Sequence, residues 1–225
     1  MIVLIACEES QAVCTAFRNQ GHKAFSCDVQ ECSGNHPEWH IQADVLPLIN
    51  GNCRFHTMDG KGHSIRKRWD LIIAHPPCTF LSNAGACRLY PKKGQLDPVR
   101  FGKGIQARAF FMQLWNADCP RIAIENPVPS TVFDLPKHSQ EIQPFQFGHP
   151  YTKKTRLWLK NLPLLEPTNI VEPVGPFVPS GTGRKDRSKY GAAKRGEDAK
   201  NRAKTFPGIA DAMAVQWGSI WRESK

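Results

Sequence analysis

The 225-residue chain has no run approaching ~18 consecutive apolar residues, the length that a membrane-spanning helix needs, so no span is expected. It is also short of acidic side chains. Asp and Glu total 20 against 30 Lys and Arg, which leaves a formal charge of +10 and a pI near 9.3. A basic balance of this size favours a polyanionic partner, with nucleic acid ahead of a membrane surface. Basic residues are missing ahead of the first apolar run, and Met1 to Cys7 passes directly into Glu8 and Glu9. That run reads as a first strand and not as a signal peptide. No internal repeat is present. The length suits one well-cored α/β domain, or one domain with a small appendage.

Cysteine is not scarce. Eight residues, at 7, 14, 27, 32, 53, 78, 87 and 119, are spread through apolar segments of a chain too large to need staples. The pattern fits reduced, mostly buried thiols and a cytoplasmic location. Cys27, Cys32, His36 and His40 are zinc-ligand types lying close together. Only three residues separate the cysteine pair from the histidine pair, which is wrong for a finger, so no metal is expected.

Short apolar runs alternate with helical patterns. Ile2 to Ala6 is continuous and apolar, as a strand buried on both faces should be. Ser10 to Gln20 sets Ala12, Val13, Ala16 and Phe17 on one helical stripe, with Gly21 as a stop. Lys23 to Cys27 reads as a strand ending at Asp28, and Trp69 to Ala74 as another, stopped by Pro76 and Pro77. Phe101 to Asn116 reads as a helix, with a strand from Arg121 to Ile124 after it. This β-α-β alternation predicts an α/β fold with a Rossmann-like, doubly wound, mostly parallel sheet. Beyond about Leu162, prolines 163, 167, 173, 176 and 179 break regular structure. From Arg184 to Lys204 there are nine Lys and Arg against three Asp and Glu. A helix over about Ile209 to Trp221 closes the chain. The expected division is a core over residues 1–160, a small basic insertion over 161–205, and a returning helix over 206–225.

Ligands of open α/β sheets bind beyond the carboxyl ends of the strands. Each predicted strand end here carries functional groups: Glu8 and Glu9, Asp28, His75 to Cys78, and Glu125 with Asn126. Pro76-Pro77-Cys78 stiffens a tight turn and presents a thiol, beside which the His75 imidazole could act on the thiol's acidity. Glu125 stands where partial desolvation would raise its pKa. A thiol nucleophile with a proton-donating carboxyl is the pairing that attack on a pyrimidine ring requires.

These residues resemble the cytosine-C5 DNA methyltransferase family, closest to compact phage and prophage members. The resemblance implies that Cys78 adds to C6 of the base and that Glu125 contacts N3. It implies S-adenosyl-L-methionine as the methyl donor and DNA as the partner. Leu4-Ile5-Ala6 before a helix, with Asp28 after the second strand, is similar to the cofactor motifs, which implies cofactor contacts from Ala6, Cys7, Glu8, Asp28 and Pro76. Asp44, in Gln42-Ala43-Asp44-Val45, resembles the acidic residue that contacts adenine. Thr152 to Arg156 is similar to the family's Gln-x-Arg-x-Arg motif, implying a supporting role for Arg156 in catalysis and nucleic-acid contact by Lys154. Pro207 to Gln216 resembles the closing motif. The basic insertion adds Arg184, Lys185, Arg187 and Lys189 as phosphate contacts. The first motif departs from the family, having Cys7-Glu8-Glu9-Ser10 where glycines are usual. Other readings are a nucleic-acid binder on an altered methyltransferase scaffold, and a C5-pyrimidine enzyme acting on RNA or a free nucleotide.

Overall fold

Ile2 to Ala6 is apolar at every position, which suits a backbone covered on both faces. In the computed structural model, which describes residues 1–86, 88–177 and 203–223, this run forms β1 (Ile2–Ala6). β2 (Lys23–Asp28) and β3 (His40–Gln42) lie parallel to one side of it, and β6 (Leu71–Ala74) and β7 (Ile122–Pro127) parallel to the other. β9 (Thr155–Lys160) then runs antiparallel to β7, and β8 (Gln140–Ile142) antiparallel to β9. The result is a mixed α/β fold on a mostly parallel seven-stranded sheet, in the order β3-β2-β1-β6-β7-β9-β8. The connection from β3 to β6 carries no α-helix. It holds a separate antiparallel hairpin, β4 (Cys53–His56) and β5 (Gly62–Ile65), whose Phe55 packs on Phe25 and Trp69.

The two-residue period of β1 divides the core. Val3 and Ile5 face α1 (Ala12–Asn19) and α4 (Pro207–Glu223), joining Val13, Phe17, Met213 and Trp217. Leu4 and Ala6 face the other way, toward Trp158 and toward Phe111 and Leu114 of α3 (Pro98–Trp115), which follows the single turn α2 (Asn83–Ala86). Helices therefore cover both faces of the sheet. No helix among the described residues is long and apolar enough to cross a membrane.

Local chemistry moved several boundaries from their predicted places. α1 starts two residues late because Gln11, just before it, takes a left-handed backbone with φ 59°. Gly21, at φ 79°, provides the stop as expected. α3 starts three residues before Phe101, because the Asp97 carboxylate accepts the Arg100 N–H at 3.0 Å and Pro98 occupies the first turn. β7 runs to Pro127, so Glu125 and Asn126 belong to the strand and not to a loop after it. Residues 161–177 carry no helix, and Leu165 of that segment is buried in the core. Arg184, Lys185, Arg187 and Lys189 lie outside the described residues.

Candidate active site

Two groups of side chains stand at the carboxyl ends of the parallel strands. The first surrounds the ends of β1 and β2. Cys7 takes a left-handed conformation, φ 60°, and its N–H donates to the Cys27 carbonyl at 2.7 Å. Burial raises the Cys7 thiol pKa, and the nearby negative charges of Asp28 and Asp44 add to the rise. The predicted cofactor residues Asp28 and Asp44 thus both lie close enough to act on Cys7. Asp28 Oδ1 accepts the Gln30 N–H at 2.9 Å, and Asp44, exposed, accepts the Leu46 N–H at 3.0 Å.

Glu8 points elsewhere. Its carboxylate is buried and accepts the backbone N–H of Val13 at 2.6 Å and of Cys14 at 3.1 Å, capping the start of α1. Burial raises its pKa above that of an ordinary glutamate, outweighing the opposing effects of His75 and of these two bonds. Gln11 was not singled out by the sequence. It is fully buried, and its amide bonds both the N–H and the carbonyl of His36 and reaches Ser26, which in turn meets His40 at 2.9 Å. Its apolar neighbours on the α1 stripe gave no hint of this, because the contacts come from 15 and 25 residues away. The left-handed Cys7 and Gln11 make the turns for which a glycine would ordinarily serve.

The second group joins the ends of β6 and β7. Asn126, fully buried, donates from Nδ2 to the Pro76 carbonyl at 2.9 Å, so β7 grips the turn that carries Cys78. The chain after Cys78 is tied to the same neighbour: Ser130 N–H donates to Leu81 O at 2.7 Å, and Asn83 N–H to Val128 O at 3.0 Å. From α3, Arg100 donates to the carbonyls of Gly85 and Thr79. Cys78 itself is half-buried.

His75 Nδ1 lies 3.3 Å from Glu125 Oε2, with both side chains largely buried. The pKa expected for Glu125 needs correcting. Burial pushes it up, but the His75 hydrogen bond and the Lys153 charge outweigh burial and hold it below the ordinary glutamate value. Nothing in the sequence signals that two basic groups converge on this carboxyl. Arg156 pairs with Glu141 of β8 at 2.8 Å and also meets His138, while Lys154 reaches Glu141 at 3.8 Å. Arg156 lies opposite Asn126 in the β7–β9 register, and its side chain is tied to Glu141 on the far strand β8.

Three buried polar atoms here have no hydrogen-bond partner among the described residues: His75 Nε2, Asn126 Oδ1 and Arg156 Nε. Such atoms are uncommon inside proteins, and all three lie at or beside the β6–β7–β9 ends. No group of three or more metal-ligating side chains occurs among the described residues.

No protein-family model matches the chain, and no curated protein matches it. Among solved structures, the chain is similar to a prophage-encoded E. coli protein described as a candidate DNA modification methyltransferase. The TM-score is 0.43 with 12% identity, and the match covers 76% of this chain but only 52% of the other.

Proposed function

We propose that the protein is an S-adenosyl-L-methionine-dependent cytosine-C5 DNA methyltransferase with a Rossmann-like, doubly wound core and Cys78 as its nucleophile. One observation carries this reading. The Pro76-Pro77-Cys78 turn leaves β6, Glu125 stands in the neighbouring parallel strand β7, and Asn126 locks the turn to that strand. A thiol and a carboxyl are thereby offered to one substrate at one rim. The strand order supports the Rossmann-like description. Counted alone, the five parallel strands run 3-2-1-4-5, as in the dinucleotide-binding arrangement.

Ligands in such sheets bind where the strand order reverses, here between β1 and β6. The residues around β1 and β2 fit a cofactor with a nucleoside end. Asp28 would hold ribose hydroxyls and Asp44 the adenine, with Ala6, Cys7 and Pro76 lining the path. Glu8, turned into α1, presents less negative charge to a ligand carboxylate than the sequence suggested. When bound, S-adenosyl-L-methionine supplies the methyl group.

The chain's own residues do the rest. The Cys78 thiolate adds to C6 while Glu125 passes a proton to N3, so the electron pair of the C5–C6 bond becomes available at C5. After methylation, loss of the C5 proton expels the thiolate and N3 returns its proton. Arg156, held by Glu141, supports the strand under this site. Lys154 and the cluster Arg184, Lys185, Arg187 and Lys189 would bind the DNA backbone.

Incubation with duplex DNA and isotope-labelled S-adenosyl-L-methionine, then digestion and mass spectrometry, tests the reading. The wild type is expected to yield 5-methylcytosine. Cys78→Ala is expected to yield none while still binding the cofactor. Turnover by the alanine variant near the wild-type rate would end the covalent mechanism. A wild type that binds DNA but no S-adenosyl-L-methionine would be a non-catalytic binder.

A further inference from the structure

We propose that His75 is a positioning residue that holds Glu125 in place and resupplies its proton in each turnover. This rests on the role proposed above for Glu125.

The geometry makes a closed unit. His75 follows Ala74, which pairs with Ile124, so the imidazole lies beside Glu125 as β6 and β7 run out together. Nδ1 approaches Oε2 at 3.3 Å, with the side chains 8% and 15% exposed. The other ring nitrogen, Nε2, has no hydrogen-bond partner among the described residues. An apolar residue at position 75 would avoid that unpaired atom and its cost. Retaining an imidazole there needs a reason beyond packing.

The charged groups around the pair come from three further places. Glu8, in the loop after β1, acts electrostatically on His75. Lys153, before β9, acts on Glu125, and Cys78 follows His75 in the same turn. The basic neighbours keep Glu125 ionised at rest, as its lowered pKa records. An ionised carboxylate cannot protonate N3 unless a proton reaches it from elsewhere. In the proposed step the His75 imidazolium gives its Nδ1 proton to Oε2 and is left as a neutral ring with Nε2–H, Glu125 hands a proton on to N3, and the Cys78 thiolate forms the S–C6 bond. When the S–C6 bond breaks and the C5 proton leaves to solvent, the N3 proton returns to Glu125 and then to His75. The proton on the pair as a whole, and not on Glu125 alone, then governs the basic limb of the rate profile.

The test is His75→Gln, which keeps a donor to Glu125 but cannot carry a mobile proton. Single-turnover methyl transfer at neutral pH is expected to fall about tenfold or more. The basic limb should move to lower pH, while DNA and cofactor affinities stay within about twofold. A slower variant with the wild-type profile would show a structural role only and overturn the proposal. A second measurement needs no activity: 15N shifts of the His75 ring in wild type and in Glu125→Ala. The proposal expects both ring nitrogens protonated in the wild type at neutral pH and a switch to a neutral ring in the variant. An unchanged ring would overturn it. If the wild type fails to methylate yet this switch occurs, the holding of Glu125 stands and the methyltransferase reading falls.

Discussion

Asn126 and Pro76 are 50 residues apart in the chain, yet the amide of one donates to the carbonyl of the other at 2.9 Å in a fully buried contact. This bond sets where the thiol of Cys78 stands relative to Glu125, the strand neighbour of Asn126. Asn126→Ala leaves the Pro76 carbonyl without that partner, which should cost about 1–3 kcal/mol of stability. Methyl transfer should fall further than stability accounts for, because catalysis is sensitive to displacements of about 1 Å. Urea denaturation alongside initial rates would check both, and a rate loss no greater than the unfolded fraction would argue against the positioning role.

Glu8 predicts a pH dependence whose sign can be worked out. Burial raises its folded-state pKa above the ordinary value of 4.5. The folded protein therefore holds this proton to higher pH than the unfolded chain does. The group's contribution to stability is fully present below 4.5 and declines as pH rises through the folded-state value. Glu8→Gln cannot titrate. Its stability relative to the wild type should improve as pH rises through that window, as read by denaturant unfolding at several pH values. A difference independent of pH would show that the carboxyl is not raised.

How much of this was legible in the sequence depended on the range of the forces involved. β1 and β6 could be read because a strand covered on both faces needs a continuous apolar run. β3 and β8, of three residues each, are too short to show a period, and Arg54, His56 and His63 gave the β4–β5 hairpin a polar character. Cys78 and Glu125 could be proposed from the sequence because their residue types and strand-end places are local facts. The sign of the Glu125 shift could not, since His75 lies 50 residues before it and Lys153 enters from a later segment. The same holds for Glu8, read as a cofactor contact, whose carboxylate caps α1 through bonds to Val13 and Cys14.

Asp28 separates two roles that one alanine substitution would confuse. Its Oδ1 accepts the Gln30 N–H and so fixes the turn after β2. Asp28→Asn keeps an acceptor for that turn but loses the charge, whereas Asp28→Ala loses both. If the carboxylate holds ribose hydroxyls, both variants should weaken S-adenosyl-L-methionine binding by ~1–3 kcal/mol in calorimetry. Only the alanine variant should also lose thermal stability. Wild-type affinity in Asp28→Asn would remove the charge from the site.

A second basic stretch lies close after the Cys78 turn. Between Thr79 and Arg108 the chain has six cations, Arg88, Lys92, Lys93, Arg100, Lys103 and Arg108, against the single acid Asp97. Asp97 caps α3, while Arg100 and Arg108 bond backbone carbonyls. Arg88, Lys92, Lys93 and Lys103 are exposed, in the segment that directly follows Cys78. If a cytosine reacts at Cys78 as proposed, its flanking phosphates would come close to this segment, and each phosphate engaged contributes about 0.9 to the slope of log affinity against log salt. Replacing Arg88, Lys92 and Lys93 with Gln should therefore flatten the slope by about two to three units. Replacing Arg184, Lys185, Arg187 and Lys189 should flatten it by about two to four, if that insertion also holds the backbone. Neither set should change the preference among duplexes, because phosphate contacts position a protein without reading bases. Titrating fluorescent DNA at several salt concentrations compares the two sets directly. A slope unchanged by the first set would mean that the cations beside Cys78 are only a solvated surface. A change of sequence preference would mean that they reach base edges.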